Sequence, residues 1–121
     1  MTIYYSNGSK TNSLTTEDLR DALRMTFEKI GSRQKVLLLP PDHTRLFSRA
    51  GELTVLCRDL LGDAVTDIMP ALGTHSAMKP DQLAHMFPGV PQELFRPHRW
   101  RDDVVTLGEV PASYVSEVTG G

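Results

Sequence analysis

The segment LLLPPDHTRLFSRAG, residues 37–51, sets an acid, a histidine, a threonine and an arginine directly after an aliphatic run. Asp42, Thr44 and Arg45 offer an acceptor, a hydroxyl and a planar cationic fork. Arg45 suits bidentate binding of a carboxylate or phosphate. Thr44, with backbone N–H groups opening a helix, suits an anion as well. A plainer reading makes Asp42 and Thr44 helix caps and pairs Arg45 with Asp42 on the surface. His75 follows ALGT after a second apolar run. Gly73 lets the backbone turn there, and the histidine can act as a general base or metal ligand, or be a loop residue without a role.

The remaining candidates are weaker. His98 lies in RPHRW beside Arg96, Arg99, Trp100 and Arg101. It reads as a solvated strand edge before it reads as an anion patch. His43 stays open. His85 reads as a surface or packing residue, and Cys57, on the apolar face of a helix, as core. The histidine spacings match no zinc motif, so no metal ligand is assigned.

The elements that must position these residues follow from periodicity. In TTEDLRDALRMTFEKIG, Leu19, Ala22, Leu23, Thr26, Phe27 and Ile30 share one helical face. Thr15 or Thr16 caps it and Gly31 stops it. KVLLLP does not alternate, as expected for a short strand covered on both faces. A second helix spans Phe47 to Leu61, with Leu46, Ala50, Leu53, Cys57 and Leu60 on one side and Gly62 at its end. AVTDIMPAL is the next strand. KPDQLAHMF is a short helix with Pro80 in its first turn. ELFRPHRW, DVVTLG and SYVSEV are read as further short strands or extended segments. The alternation predicts one small α/β domain over residues 1–121, a partly parallel sheet flanked by helices. Such sheets bind ligands beyond the carboxyl ends of their strands, where both DHTR and GTH fall.

Composition narrows the partners. The chain has 121 residues, a formal charge of −2 and one cysteine. Nothing in that charge attracts nucleic acid or an anionic membrane. No apolar run reaches the roughly 20 residues of a membrane span. MTIYYSNGSK lacks the apolar core of a signal peptide. A cytoplasmic protein is expected.

VLLLPPDHTR, DIMPALGTHSAMKPDQL and FRPHRWRDDVVTLGEVP, in that order, resemble the N-terminal part of the lactate racemase family, over roughly residues 14–118. That family uses a nickel-pincer nucleotide cofactor to racemise or epimerise α-hydroxy acids. A base takes the hydroxyl proton while hydride moves to the cofactor, and the keto acid takes hydride back on either face. The resemblance implies that His75 is one of two catalytic acid/base histidines. It implies that Asp42, Thr44 and Arg45 bind cofactor, and that Arg45 and His98 contact substrate. Leu46 stands where the family has proline, and Ser76-Ala77 where it has Arg-Pro. The family's second histidine, attachment lysine and nickel-binding histidine match nothing in these 121 residues.

Two functions are therefore expected. One is an N-terminal part of a racemase-like enzyme, completed by a C-terminal part or another chain. The other is a stand-alone module that binds a nucleotide or small carboxylate without turnover. A metal hydrolase built on Asp42, His43, His75 and His98 finds no support in ligand spacing. A cut domain would bare apolar surface and form a homo-oligomer.

Overall fold

The computed structural model describes residues 2–120. Helix α1 (Thr16–Ile30) starts at a reciprocal cap: Thr15 Oγ1 accepts from Asp18 N–H at 3.2 Å, and Asp18 accepts from Thr15 N–H at 2.7 Å. Its half-buried residues include all six of the periodic face read from the sequence. Strand β1 (Val36–Leu38) leads to a tight turn over His43–Ser48, then helix α2 (Ala50–Leu61) and strand β2 (Val65–Ile68). Helix α2 thus begins three residues later than periodicity suggests. Arg49 holds a left-handed backbone (φ 62°) at the junction.

Strands β1 and β2 pair in parallel, and isolated parallel bridges join Pro41 to Ala71 and Ile68 to Phe95. Helix α3 (Pro80–Met86) follows, and a last helix, α4 (Ala112–Thr119), ends the described chain. The arrangement is α/β with a parallel sheet, as expected. Ile68, Val65 and Phe87 are essentially sealed from solvent, and Phe87 meets Phe95 at 5.2 Å between ring centroids. Leu56 and Thr54 of α2 are buried as well. The face of α2 read from the sequence, Leu53, Cys57 and Leu60, is only half-buried.

Two sequence readings need correction. Strand β1 is covered on one face only: Leu37 and Leu39 are 49% and 61% exposed. An unbroken apolar run fits a strand buried on both faces, but the covering layer must come from elsewhere, and no described element supplies it. SYVSEV is helical, within α4. Tyr114, Val115 and Val118, at i, i+1 and i+4, follow a helical stripe and not strand alternation, and Pro111 sits just ahead of the first turn. DVVTLG, read as a short strand or an extended segment, belongs to no helix or strand and pairs with nothing among the described residues.

Helix α1 is tied to α2 by one acid. Glu52 accepts from Arg49 Nε (2.6 Å), Arg49 Nη2 (2.9 Å) and Thr16 Oγ1 (2.6 Å). Arg49 Nη1 also donates to the Leu14 carbonyl at 2.6 Å. The Arg49 and Thr16 hydrogen bonds pull the Glu52 carboxyl down to about 2, against the opposing effect of burial. No helix among the described residues is long and apolar enough to cross a membrane.

Candidate functional site

The parallel pairing runs past the strands proper. Met69 N–H donates to the Leu38 carbonyl at 2.9 Å, and Ala71 N–H to that of Pro40 at 2.8 Å. Both chains therefore leave the sheet side by side, and Asp42 and Leu72 are the first residues beyond it. After Leu72 the backbone turns back: Gly73 takes φ +57°, and His75 N–H donates to the Leu72 carbonyl at 3.0 Å. A side chain at 73 would strain that turn.

This turn brings His75 onto Asp42. Nδ1 of the ring lies 2.6 Å from Asp42 Oδ2. The other carboxylate oxygen accepts from Thr44 N–H at 3.1 Å and from the Thr44 hydroxyl. Asp42 thus caps the turn that follows it, as the plainer reading held, and also orients a histidine. Its side chain is 3% exposed, whereas that of His75 is 50% exposed. Burial alone would push the Asp42 carboxyl up. Hydrogen bonds from the Thr44 hydroxyl, His75 and Thr44 N–H outweigh it and hold the group below the ordinary carboxylate value. With Asp42 ionised, the network assigns the proton of a neutral His75 to Nδ1, leaving Nε2 with a lone pair. A buried carboxylate behind a half-exposed imidazole can move a proton.

Arg45 does not pair with Asp42. Its Nη1 reaches Thr44 Oγ1 at 3.4 Å, and among the described residues it meets no carboxylate. Asp42, Thr44, Arg45, Gly73, Thr74 and His75 line one open pocket of about 400 Å³. His98 does not join them. Its Nδ1 accepts from Leu72 N–H at 3.2 Å, and it lines a separate cavity of about 170 Å³ with Pro70, Phe95 and Pro97. His98 therefore acts on the site through the backbone of the turn that carries His75.

One contributor was not legible in the sequence. Gln82 Oε1 accepts from Lys79 N–H at 2.9 Å, which fixes the amide and aims its NH₂ at His43 Nε2, 3.0 Å away. His43 must accept there, so the neutral ring carries its proton on Nδ1, a buried atom with no partner. This contact latches the Asp42–Arg45 turn to α3. A glutamine 39 residues away gives no sequence signal. Gln82→Leu is expected to destabilise the chain by about 1–3 kcal/mol, because His43 Nε2 would lose its donor as well. Urea unfolding measures it, and an unchanged midpoint would remove the latch.

The donor set does not fit a nickel centre, since no three His, Cys, Asp or Glu side chains converge among the described residues. The Arg45 guanidinium fits an anionic group such as a phosphate or carboxylate, while Thr44, whose N–H and hydroxyl both donate to Asp42, accepts from Arg45 and steadies it. Comparison with known proteins finds no matching family model, curated sequence or solved structure.

Proposed function

We propose that this chain supplies one acid/base half of an α-hydroxy acid racemase or epimerase site, with the second base and the hydride acceptor held by residues outside these 121. The observation that carries the reading is the 2.6 Å contact between Asp42 and His75 in a pocket that also holds Arg45 and Thr44. Arg45, held by the Thr44 hydroxyl oxygen, takes the substrate carboxylate or a cofactor phosphate. Asp42 keeps the His75 proton on Nδ1, and Nε2 accepts the proton of the substrate hydroxyl. The resemblance supports a nickel-pincer nucleotide as hydride acceptor, but this chain's donor set holds no nickel, and no step is assigned through it. The partner is a C-terminal part or a second copy, and the compartment is the cytoplasm.

Anion binding is the first test. Lactate and a nucleoside monophosphate, titrated separately by calorimetry, are expected to bind at Arg45. Arg45→Ala is expected to weaken binding by about 1.5–3 kcal/mol, the value of hydrogen bonds to a charged group. Equal affinity in the variant would sink the anion site. The second test is turnover. A single-enantiomer hydroxy acid, incubated with this chain and the nickel-pincer nucleotide, is expected to yield no opposite enantiomer by chiral chromatography. Returning hydride to both faces needs an acid/base group on each side. Product above a His75→Ala control would place the second base within these residues.

A second reading is favoured by the openness of the anion cradle, which is complete without any second base: a module that binds a nucleotide or carboxylate without turnover. Racemisation on adding the complementing part separates the two.

A further inference from the structure

Strand β1 has one neighbour, β2. Leu38 and Pro40 aim their carbonyls at β2. By the alternation of a parallel ladder, the N–H and C=O groups of Leu37 and Leu39 point the other way. Among the described residues nothing bonds to them. The Leu37 and Leu39 side chains stand on the uncovered face of the sheet. Arg33 and Lys35, just before the strand, are exposed and meet no carboxylate among the described residues. The result is an open, apolar strand edge with a basic entry.

The same molecule carries the complementary segment. Residues 101–120 are exposed throughout. From 104 to 110 no backbone group forms a hydrogen bond among the described residues. The sequence DDVVTLGEV, residues 102–110, has strand composition, with Val105 and Leu107 81% and 100% exposed. Two acids precede it. Asp102 and Asp103 face only Arg99, at 4.0 and 3.6 Å, in exposed pairs of little energetic weight.

We infer that β1 is a docking edge for residues 103–107 of a second copy of this chain, added as a parallel strand. In this register Val105 lies beside Leu37 and Leu107 beside Leu39, on the bare face. Asp103 lies beside Lys35, and Asp102 approaches Arg33. Main-chain hydrogen bonds satisfy the free groups of Leu37 and Leu39, as in other strand additions. The chain's own segment cannot reach. Phe95 already runs parallel to β2 on its far side. A return to a parallel position needs a crossover of about a dozen residues or more. Only residues 97–102 are free for it, and part of that length is the turn in which Asp102 and Asp103 N–H donate to the Arg99 carbonyl. Reciprocal exchange between two copies closes a dimer.

The test uses the 121-residue chain with Cys57 replaced by Ala. A Leu37→Cys chain is mixed with an affinity-tagged Val105→Cys chain under mild oxidation, so that any mixed disulfide joins two copies. A mixed disulfide is expected from this pair and none from Leu37→Cys with Thr106→Cys, because residue 106 faces the other side. Equal linking at 105 and 106, or none at either, overturns the inference. A double Leu37→Cys/Val105→Cys chain that links only within itself on dilution overturns it too, in favour of the chain's own arm. Light scattering gives an independent reading: wild type is expected to be a dimer and Leu107→Asp a monomer. Leu107 is fully exposed within one copy, so an unchanged circular dichroism spectrum would show that Leu107→Asp folds. A monomeric wild type, or a Leu107→Asp chain that still dimerises, also overturns the inference.

Discussion

Gly51→Ala is expected to destabilise this protein by about 3 kcal/mol, at the upper end of what overpacking costs. The expected sign is opposite to the usual one, since alanine normally stabilises a helix relative to glycine by roughly 0.5–1 kcal/mol. A methyl group at position 51 would lie 2.2 Å from the Met86 carbonyl oxygen and 3.1 Å from Met86 Cγ. The nearest neighbour is backbone, so no rotamer change relieves the clash. Helix α2 must part from the end of α3, and α3 carries the glutamine that latches His43. The melting temperature is expected to fall on the order of 10 °C. Gly8→Ala is the control, because nothing lies within 4 Å of a side chain there. A Gly51→Ala chain as stable as wild type would mean that α2 and α3 do not approach as described.

Asp42→Asn carries the largest expected functional effect. The amide oxygen can still accept from Thr44. Its NH₂ group then faces His75 Nδ1, which must accept rather than donate. The ring proton moves to Nε2, and the outward nitrogen loses its lone pair. In the acid/base role proposed for it, His75 is expected to lose about 10²–10⁴-fold in proton-transfer rate. In the isolated chain, nitrogen-correlated NMR of His75 is expected to show the tautomer change directly. An unchanged tautomer would disconnect Asp42 from the ring. Acid stability gives a second measure. The folded chain holds the Asp42 carboxyl below its ordinary value. Its contribution is therefore present above that ordinary value and is lost as pH falls through the lowered one, because the unfolded chain takes up the proton first. Urea midpoints from about pH 6 to about pH 2 should fall more steeply for wild type than for Asp42→Asn. Glu52 titrates in the same region in both chains, so the difference isolates Asp42.

Local signals in this sequence were readable because their causes are local. The cap at Thr15, the half-buried face of α1 and the stops at Gly31 and Gly62 each depend on residues within one or two turns. The position of Asp42, Thr44, Arg45 and His75 after two strands was also legible. Two apolar runs joined by one helix leave little choice but a parallel pair with both turns at one end. What stayed hidden depends on distant groups. Nothing in VLLL says whether a second layer will cover Leu37 and Leu39. Nothing near His98 says that its ring will take the Leu72 amide instead of entering the pocket, and nothing near His43 announces Gln82. The misreading of SYVSEV has a different cause: its tyrosine and valines carry strand propensity, whereas the spacing of Val115 and Val118, three apart, is helical.

The dyad also has a bearing on how the molecule comes apart. Its two members are 33 residues apart in the chain and are held together only by the β1–β2 ladder and the turns that leave it. With the carboxylate 3% exposed and Nδ1 2.6 Å from it, the proton between them is expected to resonate downfield and to exchange with water more slowly than that of a free imidazole while the ladder is closed. Its exchange rate therefore reports the opening of β1 away from β2, separately from fraying of α1 or of the exposed C-terminal helix. If that rate matches the slowest amides of Val65 and Ile68, the site opens only with the whole core. If it is faster, the strand pair is a cooperative unit of its own, and the Asp42–His75 alignment is lost well before the fold.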